Sequence, residues 1–87
     1  KFYDSGPQRW FTTTGSETAT LAAGTEGQVK TLLMAGDGGD MVVTVDNVGW
    51  KATGNGTITF NDIGDTCTLQ YINNKWYVTG AFNTTFA

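Results

Sequence analysis

The stretch Thr66-Cys67-Thr68-Leu69-Gln70-Tyr71 constrains this chain more than any other, because Cys67, Leu69 and Tyr71 alternate strictly with polar residues. A period of two places the two sets on opposite sides of a pleated strand, one side dry and one wet. The run ends in Asn73-Asn74, residue types that accept the positive φ angles of a type I′ turn. Lys75-Trp76-Tyr77-Val78-Thr79 then returns with Trp76 and Val78 sharing a side, which predicts a hairpin and brings Tyr71 near Trp76. No helical period lasts a dozen residues anywhere in the 87. Sixteen threonines and twelve glycines, with only 15% charged residues, favour short strands and tight turns over helices.

The rest of the chain follows the same grammar. Glu17-Thr18-Ala19-Thr20-Leu21 alternates as a half-exposed strand, and the loop at 22–28 carries two glycines, one of which is expected at positive φ. Val29–Ala35 and Met41–Val45 flank Gly36-Asp37-Gly38-Gly39-Asp40, so residues 29–45 read as a second hairpin. Residues 47–51 are irregular and carry Trp50, after which Thr57-Ile58-Thr59-Phe60 places Ile58 and Phe60 on one face. A turn at 61–65 precedes the clear hairpin, and the tail 82–87 reads as one more edge strand. The expectation is one all-β domain over 16–87, a small antiparallel sandwich or barrel-like domain of about six to seven short strands. Residues 1–15 read as an N-terminal aromatic arm, with Phe2, Tyr3, Trp10 and Phe11 arranged around Gly6-Pro7. Such an arm is too apolar for a linker, and apolar ends on a small domain without disulfides point to inter-subunit contact.

Five basic and eight acidic residues give a net charge of −3, with no Lys/Arg cluster to meet nucleic acid or an anionic membrane. No apolar run reaches the length of a membrane-spanning helix. The first residues lack the features of a signal peptide, and the missing initiator Met suggests processing or a longer parent chain. Histidine is absent, and Cys67 and Arg9 are the sole cysteine and arginine, which removes His-based triads, the usual zinc sites and internal disulfides. Asp37 and Asp40 suggest a calcium loop, as do Asp62 and Asp65, but turn chemistry accounts for both pairs. Cys67 has no base to activate it, and neither glycine-rich loop is followed by a phosphate-binding lysine. No catalytic, cofactor or metal residue is expected. Trp10, Trp50 and Tyr77 could stack on sugar rings; filling the core or a subunit interface is the favoured alternative.

Two stretches carry a resemblance. Leu21-Ala22-Ala23-Gly24-Thr25-Glu26-Gly27-Gln28-Val29-Lys30-Thr31 is one; the other is the run from Ile58 to Tyr71, continuing into Asn74-Lys75-Trp76-Tyr77-Val78-Thr79-Gly80. Together they resemble β-structured virion proteins of tailed bacteriophages, cyanophages especially: capsid decoration (cement) proteins and β-domains of tail fibres or spikes. The resemblance spans roughly residues 16–80 and leaves the aromatic arm outside. It implies a homotrimeric knob on the outer capsid surface that clamps neighbouring copies of the major capsid protein. Its alternative is a fibre or spike domain that recognises a host glycan. Composition then assigns Phe2, Tyr3, Trp10 and Phe11 to inter-subunit or capsid contact.

Overall fold

The computed structural model of the chain describes residues 8–87. These form eight strands: β1 (Gln8–Thr13), β2 (Glu17–Leu21), β3 (Val29–Asp37), β4 (Met41–Val45), β5 (Gly56–Phe60), β6 (Thr66–Ile72), β7 (Lys75–Phe82) and β8 (Thr85–Phe86). They build two four-stranded sheets, in the orders β1-β3-β6-β7 and β2-β4-β5-β8, a small β-sandwich. Fold class follows the sequence reading, with one correction. The sheets are mixed: β1 runs parallel to β3 and β2 parallel to β4, while the other pairs are antiparallel. The reason is the path. Each of the first three connections crosses to the other sheet, so a strand returns to its own sheet pointing the same way.

That path overturns the hairpin expected over residues 29–45. β3 and β4 lie in different sheets; Leu32 sits opposite Cys67 on β6, and Val43 opposite Ile58 on β5. The glycines between them also serve another purpose than expected. Neither Gly38 nor Gly39 has positive φ. A Cβ on Gly38 would collide with the carbonyl oxygen of Thr13, and one on Gly39 with the backbone of Gly15 and Ser16. They are glycines because two backbones pass there in contact.

The second hairpin is as read. Asn73 and Asn74 take φ of 52° and 67°, and Tyr71 pairs with Trp76 at 5.1 Å between ring centroids, edge to face. Cys67, Leu69 and Tyr71 all turn inward, as do Ile58 and Phe60. The tail forms β8 along the edge of β5, and Gly27 supplies the positive φ of the 22–28 loop.

The arm needs a further correction. Residues 8–13 are a strand of the sandwich, paired with β3, so the division expected at residue 15 falls inside one packed unit. Phe11 is only 4% exposed and meets Phe60 of the facing sheet at 5.6 Å. Its alternation with Trp10 and Thr12 sends it inward. Phe11 is therefore a core residue rather than a contact residue, whereas Trp10 is 62% exposed. Phe2 and Tyr3 lie outside the described residues. Lys30 is also fully buried, at 1% exposure, on the inward side of β3 opposite Leu69.

Candidate functional site

Two surfaces stand out, one on the β1-β3-β6-β7 sheet and one where that sheet meets the other. The first is the outer face of β1-β3-β6-β7. Alternation along each strand sends Trp10, Val29, Ile72, Tyr77 and Phe82 outward, and these are five of the seven large apolar side chains exposed among the described residues. Register lines up Trp10, Leu33, Thr66 and Phe82 in one row across all four strands. A shifted register at Thr68/Leu69 keeps Phe82 on this side. The outer face of the other sheet differs: Thr18, Val42, Thr59 and Thr85 form one row, and Thr20, Thr44 and Thr57 the next. An exposed apolar concentration on one face of a small domain marks an interaction surface more often than a scatter of single residues does.

The second surface is a groove of about 290 Å³ lined by Trp50, Tyr77, Val78 and Phe86. It lies where the edge strand of one sheet, β7, comes beside the edge strand of the other, β8. Trp50 and Phe86 meet edge to face, with centroids 5.7 Å apart. Trp50 comes from the irregular segment 46–55, which is held at several points. The Trp76 amide donates to the Val48 carbonyl at 2.6 Å, and Lys75 Nζ donates to the carbonyls of Lys51 and Ala52. Asn47, at φ of 54°, accepts from the Gly54 amide through its side chain. Gly56 leaves room for the indole: a Cβ there would stand 2.7 Å from Trp50 Cζ2. Of the three residues considered for sugar stacking, Trp50 and Tyr77 thus meet in one groove, while Trp10 lies on the opposite edge of its sheet. Sequence reasoning missed Val78 and Phe86 as partners, because nothing local says that β7 and β8 flank the same opening.

Two buried titratable groups, Asp65 and Cys67, belong to the packing of the fold. Asp65 is buried; its Oδ2 accepts from the amides of Asn61 (2.9 Å) and Asp62 (3.1 Å), and its Oδ1 from Asn83 Nδ2 (2.9 Å). Burial pushes its pKa up from 3.8, but the bonds from Asn61, Asn83 and Asp62 outweigh that and leave it lowered. This carboxylate closes a turn and ties the β5–β6 connection to the β7–β8 connection. Burial pushes the Cys67 thiol up to about 12, which suppresses the nucleophilic thiolate. Among the described residues, no three His, Cys, Asp or Glu side chains gather as a metal site would require.

The two stretches that carry the resemblance meet in space. Trp76 Nε1 donates to the Ala22 carbonyl (2.9 Å), and a Cβ on Gly24 would stand 2.6 Å from the same indole. Glu26 accepts from the Asn73 amide with both carboxylate oxygens at 3.0 Å. The Gly27 amide donates to the Tyr71 carbonyl and the Tyr71 amide to the Gln28 carbonyl, each at 2.8 Å. Glycine, glutamate, tryptophan and tyrosine of the pattern therefore build one structural junction. Comparisons of the chain with protein-family models, with curated proteins and with solved structures return no match.

Proposed function

We propose that this chain is a non-catalytic structural domain of a tailed-phage virion, a capsid decoration protein that assembles as a homotrimer on the outer capsid surface and braces the major capsid protein beneath it. The observation that supports this reading is the outer face of the β1-β3-β6-β7 sheet, which exposes Trp10 on one edge strand, Tyr77 and Phe82 on the other, and Val29 and Ile72 at strand ends between them. Trp, Tyr and Phe are the residue types in which protein–protein interfaces are enriched. A partner that binds only the assembled shell stabilises the shell by mass action. The test joins light scattering across a tenfold dilution with cosedimentation on undecorated phage capsids. A dilution-resistant mass of three chains and pelleting with shells support the reading; a single chain that stays in the supernatant overturns it.

One observation favours a second reading, a fibre or spike domain that binds host glycan. Trp50 and Tyr77, with Phe86, wall one groove, and aromatic rings offer a platform to the apolar face of a sugar. Glycan-array binding that disappears in Trp50→Ala, by a chain that ignores capsids, would move the assignment to this reading.

A further inference from the structure

The geometry points to a head-to-tail contact between copies of this chain, in which Trp10 of one copy seats in the groove formed by Trp50, Tyr77, Val78 and Phe86 of the next. The inference rests on the oligomer of the first reading above and names the residues that build it.

Position carries it first. β1 and β7 are the two edges of a single four-stranded sheet, so the protruding indole and the groove stand on opposite sides of one molecule. Complementary patches on opposite sides cannot satisfy each other within a two-fold pair without leaving one set unfilled. They are satisfied by a repeated rotation, which closes into a ring or runs on as a filament.

Size and chemistry agree. Trp10 is 62% exposed, and a tryptophan in that position is the residue type that most often anchors an interface. At about 290 Å³ the groove falls at the bottom of the range for small-molecule sites, about 300–1,000 Å³. It suits one large side chain, and its four lining residues are all apolar or aromatic.

Charge does not oppose the contact. No acid lines the groove, and the nearby Lys75 ammonium is already engaged by the Lys51 and Ala52 carbonyls. Seating the indole therefore buries no unpaired charge. The contact also brings together two strands that each have one strand neighbour among the described residues, β3 for β1 and β6 for β7, the β7 edge being tied to the 46–55 segment at Trp76 through the Val48 carbonyl.

The experiment uses two variants, Trp10→Ser, which removes the knob, and Tyr77→Glu, which places a charge at the groove. Both side chains are exposed, Tyr77 at 38%, and retention of the near-ultraviolet circular dichroism of the buried Tyr71–Trp76 pair reports that each variant is folded. Wild type is expected at three chains by light scattering, and each variant at one. An equimolar mixture is expected to form a species of two chains, because Tyr77→Glu retains the knob and Trp10→Ser retains the groove. Either variant keeping the wild-type mass overturns the contact, as does a mixture that stays at one chain, and a wild type that is itself a single chain overturns it too. Capsid pelleting is scored separately. Shell binding by wild type without the mixing effect would remove this contact and leave the decoration reading standing; the mixing effect without shell binding would do the reverse.

Discussion

Four of the five connections that cross between the sheets lie in two pairs, and each pair is held by one buried polar side chain of a different kind. In the first half of the chain, the β1–β2 and β3–β4 connections pass side by side under Thr13. Its hydroxyl accepts from the amides of Gly38 and Gly39, both at 3.1 Å, and donates to the Gly39 carbonyl at 2.6 Å. In the second half, the β5–β6 and β7–β8 connections are joined through Asp65 and Asn83. The first junction is neutral and packs backbone against backbone. The second depends on a charge, and a groove opens beside its strands. Close approach of glycine backbones leaves no volume for a ligand, whereas aromatic side chains hold a gap that one can enter.

Filling the first junction is the most damaging way to break the comparison. Gly39→Ala sets a methyl group against the backbone of Gly15 and Ser16, atoms that no rotamer change can move aside. A loss of about 3 kcal/mol is expected, the upper part of the usual range for overpacking, read as a lower midpoint in urea unfolding. A loss under about 0.5 kcal/mol, within the range of an ordinary surface substitution, would show that the two crossings can slide apart. Thr13→Val keeps the shape and removes the hydroxyl, leaving the Gly38 and Gly39 amides without their acceptor. It is expected to cost about 2 kcal/mol, the penalty for buried donors left unpaired, with no change in slope between pH 3 and 7.

Asp65 provides the contrast. Folding lowers its pKa from 3.8, so its contribution is fully present above the unfolded carboxylate value near 4 and is lost as the pH falls through the folded value. Stability of wild type is expected to decline on acidification below about pH 4, and Asp65→Asn to start lower at neutral pH and to flatten that decline. An unchanged acid profile in Asp65→Asn would assign the decline to other carboxylates. Loss of the Asn83 bond alone, in Asn83→Gly, is expected to be milder. Glycine adopts the φ of 56° at that position without strain.

These two junctions also mark how far the sequence was legible. Period-two alternation reports which side chains point inward, and it placed Cys67, Leu69, Tyr71, Ile58 and Phe60 correctly because that information is local. It does not report which strand lies next door. Gly36-Asp37-Gly38-Gly39-Asp40 has the composition of a hairpin turn, yet its glycines answer a steric demand from Thr13, Gly15 and Ser16, more than twenty residues away. Phe11 was misread for a similar reason: a count of aromatics near the chain end outweighed the alternation with Trp10 and Thr12 that turns it inward. Of the candidate site, Trp10, Trp50 and Tyr77 were visible as residue types. Their arrangement was not, since Trp50 sits in a segment without periodicity and Phe86 joins it only through the pairing of β8 with β5.

The groove wall offers the gentlest test, and the small size of the effect is its point. Phe86 lies on a two-residue strand, about one third exposed, and its main ring partner is Trp50. Phe86→Ala is expected to cost about 1–2 kcal/mol, from an edge-to-face aromatic pair of about 1 kcal/mol and the buried part of the ring's apolar area. A fully buried phenylalanine such as Phe60 would cost about 3–5 kcal/mol on the same change. Trp50 should then report a wetter environment through red-shifted emission, with the Tyr71–Trp76 signature intact. If Phe86→Ala instead costs as much as Gly39→Ala, the groove wall is part of the cooperative core. Its opening would then be a seam in the packing, and the difference between the two junctions would lie in their chemistry alone.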